Sequence, residues 1–127
     1  MIVGIGTDLV SIERIKGVLE RHGERFVRRV LTPDERPRFE RASARAKPGH
    51  LAKRWAAKEA FAKAIGTGIH APFTWHAISV SRDPRGAPGI VPNAAMATYL
   101  QGRGVRRSHL TLTDDAGVAV AFVVLEG

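Results

Sequence analysis

The sequence predicts an α+β fold, a single small domain over residues 1–127 with helices packed on an antiparallel sheet. Three observations carry this. Apolar residues in the first half recur at helical spacing, in segments opened and closed by capping residues. In the last third they alternate with period two between turn signals. No repeat, low-complexity tract or long linker divides the chain, and early helices followed by late antiparallel strands read as α+β.

Residues 2–7 read as a strand whose glycines, Gly4 and Gly6, let another backbone approach closely. Asp8 stands where this strand gives way to a helix, which starts near the N-cap candidate Ser11 and carries Ile12, Ile15 and Leu19 as its apolar stripe. Gly23 ends or bends it, and Phe26, Val27 and Val30 resume the pattern. Thr32-Pro33-Asp34-Glu35 predicts a helix start with a capping box, in a helix that Pro37 keeps short or bent. Residues 45–49 read as a basic turn. The clearest helix follows, over about 50–65, with Ala57, Ala60, Phe61, Ala64 and Ile65 as its buried stripe and Gly66-Thr67-Gly68 as its C-cap. Residues 76–82 and the short segment Ile90-Val91 read as strands around a turn at 83–86. A helix capped by Asn93 runs to Gly102, and 109–113 with 118–125 form a terminal hairpin around Asp115-Ala116-Gly117.

Hydrophobic residues make up 44% of the chain, enough for a core. No apolar run reaches the ~18 residues of a membrane span, and Met1–Gly4 lack the basic lead of a signal peptide. Cysteine is absent, which excludes disulfides and thiolate chemistry and accords with a cytoplasmic location. The net charge of +8 is uneven: residues 1–70 hold 15 of the 20 Lys and Arg and 8 of the 12 acids, leaving +7 there and +1 in the remainder. Such a surface implies an anionic partner. A nucleic-acid module would explain the charge, but aromatics are only 6% and do not interleave with the basic stretches, and no helix-turn-helix or zinc pattern occurs.

Glu59 and Lys63 lie four apart and share one helix face, with Trp55 a turn before. By themselves they make an ordinary surface pair, and Asp8 an ordinary helix-start carboxylate. Together, Asp8 and Glu59 offer two hard oxygen ligands, the number magnesium takes when waters and substrate phosphates complete its shell. A lysine one turn beyond Glu59 is placed to neutralise phosphate charge.

Gly4-Ile5-Gly6-Thr7-Asp8 with Arg14-Ile15 resembles the opening signature of the holo-acyl-carrier-protein synthase family. Arg54-Trp55-Ala56-Ala57-Lys58-Glu59-Ala60-Phe61-Ala62-Lys63-Ala64, then Gly66-Thr67-Gly68, resembles its second. The likeness covers most of the chain and is weakest at 36–50 and 83–107. It implies a 4′-phosphopantetheinyl transferase-like fold and transfer of 4′-phosphopantetheine from coenzyme A to a serine of apo-acyl carrier protein, in fatty-acid biosynthesis. It implies magnesium (Mg2+) held by Asp8 and Glu59, which would make the pantetheine-bearing phosphorus more electrophilic. It makes Glu59 and Lys63 the catalytic pair and leaves the serine's proton acceptor open between Glu59 and a water. Arg45, Arg54, Lys58, Lys63 and Gly66 become candidates for the cofactor's phosphates. Arg14, Arg21 and Arg25, in one stripe with Arg28 if the first helix continues past Gly23, become the docking surface for an acidic carrier protein.

One position departs from the family's pattern: Asp114 stands where many relatives carry histidine. His109 reads as a strand-face residue, and Trp75, Met96 and Tyr99 as packing residues. Finally, both faces of 118–125 are apolar. That calls for cover on both sides of the sheet, from the 93–101 helix or from copies of the chain, and the family implies a homotrimer. Ala119 and Ala121 are the small positions expected to admit neighbouring subunits.

Overall fold

A computed structural model describes residues 1–127. The chain order is β1 (Ile2–Ser11), α1 (Ile12–His22), α2 (Glu24–Val30), α3 (Arg36–Arg41), α4 (Lys47–Ile65), β2 (Ile78–Arg82), β3 (Pro88–Pro92), α5 (Ala94–Gly102), β4 (Arg107–Asp115) and β5 (Val118–Glu126). The first, fourth and fifth strands form one antiparallel sheet in the order β1-β5-β4, and β2 and β3 form a separate two-stranded sheet. The predicted α+β class therefore holds.

The long helix α4 is the organising element. It lies across the inner face of β1 and β5 and is flanked on its other sides by α1, α2, α3 and β2. Leu51, Ala52, Ala56 and Ala62 are therefore buried along with the expected stripe of Ala57, Ala60, Phe61, Ala64 and Ile65. Gly4 and Gly6 lie on the inner face of β1 against Ala60 and Ala64. A Cβ on Gly6 would fall inside the contact radius of the Ala60 carbonyl oxygen and 2.8 Å from Ala64 N. The close backbone approach read from these glycines is thus observed, and it brings Asp8 of β1 up to α4.

Ser11 caps α1, its hydroxyl accepting from Arg14 N–H, and Gly23 breaks the helix with φ 51° before α2 begins. Two expected helix starts move. The 32–35 segment is a turn, and α3 begins only at Arg36. Glu35 Oε1 does accept from Thr32 N–H at 2.9 Å, but Thr32 Oγ1 meets Ser79 Oγ at 2.7 Å rather than completing the box. In the other direction, α4 begins at Lys47, with Pro48 tolerated in its first turn, so much of the expected basic turn is helix.

The terminal hairpin is tight. Ala116 and Gly117 have φ 52° and 80°, the pair of positive values that a two-residue turn of matching twist demands. The inward residues of β5, namely Ala119, Ala121, Val123 and Leu125, are fully buried beneath α4. Ala119 and Ala121 therefore receive the helix, and the expectation that they face neighbouring subunits is overturned. Their small side chains serve close helix-on-sheet packing instead. Helix α5 packs beside β3. On the sheet's outer face, Ile5 and Leu9 remain 61% and 63% exposed, with Val3 and Phe122 beside them.

Candidate active site

Asp8 leaves the inner face of β1 two residues after Gly6, where β1 runs beneath α4. Glu59 and Lys63 project from the adjoining face of α4. Lys63 Nζ donates to the Thr7 carbonyl at 3.0 Å and to Asp8 Oδ1 at 3.2 Å. Burial raises the pKa of Asp8, opposed by the hydrogen bond and charge of Lys63 and by the charge of Arg14. Burial also raises Glu59, and the Asp8 carboxylate raises it further, while Lys63 and Arg14 pull it down. Two carboxylates that repel one another in a half-buried setting are chemically suited to a hard cation. No cluster of three or more metal-ligating side chains exists. Asp8 and Glu59 offer a pair of carboxylates that could hold magnesium if substrate phosphates and waters provided the rest.

Glu59 also lies at the edge of a cleft of about 530 Å³ lined by Val18, His22, Arg25, Phe26, Arg29, Trp55, Ile69 and Trp75. Its floor is aromatic: Trp55 and Trp75 stack with centroids 4.4 Å apart, and Phe26 tilts against Trp55 at 5.7 Å. Arg25 and Arg29 add positive charge to its lining. Trp75, read from the sequence as a packing residue, thus lines a cleft beside a candidate catalytic carboxylate. The expected stripe of arginines splits at Gly23. Arg25 stays with this cleft, while Arg28 lines a different one with His76 and Arg36. Arg14 acts on the Asp8–Glu59 pair, and Arg21 is exposed on α1.

A second cleft, about 510 Å³, is lined by Arg38, Arg41, Ala42, His50, Lys53, Arg54, Arg82 and Gly86. Arg54 is 2% exposed yet makes no salt bridge within the chain. Burial first, then Arg82 and Arg38, lower its pKa to about 10. A buried guanidinium among like charges is an anion-binding arrangement. Asp114, in the position noted for its departure, lies 3.7 Å from Lys53 Nζ at this cleft's margin. Arg45 is exposed and lies outside the cleft lining.

One cofactor candidate is corrected, and another has its N–H already engaged. Lys58 is completely buried. Its Nζ donates to Val30 O at 2.7 Å, Glu35 Oε1 at 2.7 Å and Trp75 O at 2.8 Å. All three protons are used within the core, and none is left for a phosphate. Glu35 Oε2 in turn accepts from Val80 N–H at 2.9 Å, so the pair ties the end of α2, the 32–35 turn, β2 and the Trp75 loop to α4. Gly66 is the left-handed C-cap of α4, φ 82°, and its N–H is already directed at the Ala62 and Lys63 carbonyls. It ends the helix, and its N–H is not free for a phosphate. His109 lies on the exposed strand face as read, 3.0 Å from Glu126.

The sequence reading missed Arg29, His22, Lys53, Arg38, Arg41, Arg82 and Glu35. Arg29 was within reach, being one turn beyond Arg25. Arg82 comes from a strand far along the chain, and no local pattern marks it.

A carboxylate pair with a lysine, set among cationic clefts, defines a protein built to handle a phosphorylated substrate. The family model described as "4'-phosphopantetheinyl transferase superfamily" matches residues 4–123. The chain belongs to that superfamily and, within it, to the holo-acyl-carrier-protein synthase family. The holo-[acyl-carrier-protein] synthase of Aromatoleum aromaticum is 49% identical over 126 residues, which cover 99% of this chain and 98% of that protein. The crystal structure of the holo-[acyl-carrier-protein] synthase from Neisseria meningitidis superposes with a TM-score of 0.94 at 41% identity, covering 100% of both chains. That of a Bacillus anthracis holo-(acyl-carrier-protein) synthase in complex with CoA (3',5'-ADP) gives 0.85 at 35%, covering 100% of this chain and 98% of that one.

Proposed function

We propose that this chain transfers 4′-phosphopantetheine from coenzyme A to a serine of apo-acyl carrier protein, giving the holo-protein and 3′,5′-ADP, for fatty-acid biosynthesis in the cytoplasm. The observation that carries the reading is the Asp8–Glu59–Lys63 constellation, assembled from β1 and α4 in a chain that matches the family over nearly its whole length.

The serine oxygen forms a bond to the phosphorus bearing pantetheine, the bond from that phosphorus to the bridging pyrophosphate oxygen breaks, and the serine proton is released. Asp8 and Glu59 would hold magnesium, which when bound polarises the pyrophosphate and stabilises its departing charge. Lys63, already hydrogen-bonded at the site's edge, supplies a positive charge to the phosphates. Arg54 and the cations around it take the remaining phosphate of coenzyme A. The serine proton passes to Glu59 or to a water held at the site, the two acceptors that this arrangement leaves open. The aromatic cleft beside Glu59, rimmed by Arg25 and Arg29 and flanked on α1 by Arg14 and Arg21, fits an acidic carrier surface that inserts an apolar side chain.

Assembly as a homotrimer follows from the family resemblance for its number and from the exposed apolar outer face of β1 and β5 for its need of a partner. The test of the reaction is incubation with apo-carrier protein, coenzyme A and magnesium. A mass gain of one phosphopantetheine group on the carrier, dependent on magnesium, supports it. An unmodified carrier beside a folded enzyme refutes it.

A further inference from the structure

His50 is a histidine that the proposed chemistry does not use, and its surroundings give it one. It sits in the first turns of α4, with its ring tilted against Phe39 at 5.8 Å and its Nε2 enclosed without a hydrogen-bond partner. No hydrogen bond within the chain therefore fixes that nitrogen as donor or acceptor. It lines the basic cleft with Arg38 and Arg41 from α3, Lys53 and Arg54 from α4, and Arg82 from β2. Asp114 of β4 stands beyond Lys53 at 3.7 Å, and Lys47 lies over the far ring, 5.7 Å from the Phe39 centroid.

We propose that His50 makes this cleft a proton-linked site for a phosphate monoester, the ring taking up a proton as a dianionic phosphate enters. The proposal rests on reading the cleft as the place of a coenzyme A phosphate.

The physics is a reversal of field. Burial, and then the charges of Arg54, Lys53, Arg38 and Arg82, hold the imidazole down to about 3, so it is neutral at physiological pH while only cations surround it. A bound dianion offsets that repulsion at close range, where charges at a partly buried site interact strongly. The protonated ring then adds one more positive charge to the cluster. By linkage, a ligand whose binding draws in a proton binds more tightly as pH falls. His50 thereby favours a doubly charged monoester over a singly charged diester, a distinction that fixed arginines make less sharply.

The test is calorimetric titration of the magnesium-loaded enzyme with 3′,5′-ADP, in buffers of differing protonation enthalpy at about pH 7.5 and about pH 6.5. It compares the parent with His50→Phe, which packs on Phe39, and with His50→Gln, should the larger ring disturb the fold. The ligand's own phosphates titrate alike in each case, so differences between proteins belong to residue 50. The expected result is roughly half a proton or more taken up by the parent beyond either variant. Its affinity advantage should then widen about threefold over that one-unit fall in pH. Equal proton uptake and an unchanged affinity ratio overturn the proposal while leaving the cleft assignment intact. Binding that Arg54→Ala does not weaken places the phosphate elsewhere and overturns both.

Discussion

Replacing Gly6 with alanine tests the contact that builds the site. The new Cβ would enter the contact radius of Ala60 O and lie 2.8 Å from Ala64 N and 3.0 Å from Ala60 C. All three are backbone atoms, so no rotamer change can relieve them. The strand must retreat from α4 by roughly 1 Å to restore ordinary contact. Overpacking of this kind costs typically ~1–3 kcal/mol. For a chain of this length the upper end lowers Tm by about 10 °C. The functional loss should be larger, because Asp8 lies two residues on and would withdraw from Glu59 and Lys63. A misplacement of ~1 Å at a reacting centre can cost about 10²-fold in rate. Thermal unfolding and carrier turnover, measured beside Gly102→Ala, give the answer. Gly102 ends α5 with nothing within 4 Å of a new Cβ, so that control should be neutral or slightly stabilising. A Gly6→Ala protein with parental Tm and turnover would refute the argument that close β1–α4 contact sets the site.

The remaining expectations test other parts of the molecule. Because Glu59 is raised by burial and by Asp8, its ionised form costs the fold stability that is intact below the ordinary carboxyl range and lost as pH rises through its raised pKa. Glu59→Gln should therefore raise the metal-free Tm near neutral pH, leave it unchanged in acid, and abolish stabilisation by magnesium; an undiminished magnesium response removes Glu59 from the metal site. Lys58→Met strands the buried Glu35 carboxylate and should cost about 3–5 kcal/mol in urea unfolding, with partial recovery on adding Glu35→Gln; a loss below ~1 kcal/mol would show the pair is dispensable. Reversing Arg21 and Arg25 to glutamate should raise the carrier KM several-fold while sparing the coenzyme A KM, and should flatten the salt dependence. A normal carrier KM puts the docking surface elsewhere. Sedimentation equilibrium of the parent should give about three times 13.8 kDa, and Ile5→Asp on the outer sheet face should give the single-chain mass; a parent at 13.8 kDa refutes the trimer.

Local chemistry made much of this protein legible from its residues. Ser11, Asn93 and Gly66 mark helix ends because a cap depends only on a short stretch of backbone, and each does so in the structure. Gly4 and Gly6 announced a close backbone approach because little else in a strand calls for a missing Cβ. Asp8, Glu59 and Lys63 stood out through spacing and through two extended motifs.

Tertiary structure decided the rest, wherever a side chain's role depends on what crosses it. Lys58 and Lys63 look equivalent along the chain. One is sealed in the core with Glu35, and the other reaches Asp8, because α4 is covered on nearly every side. Thr32 and Glu35 resemble a capping box, and Glu35 keeps its bond from Thr32 N–H, but Thr32 Oγ1 turns to Ser79 of a distant strand, so only half of the local pattern survives. Ala119 and Ala121 could have faced copies of the chain, but alternation settles only that two strand faces exist. The side that α4 covers settles which face is core. The basic cleft gathers Arg38, Arg54 and Arg82 from three elements, so it has no sequence signature. Periodicity and capping are properties of neighbours along the chain, whereas burial, pairing and charge density are properties of neighbours in space.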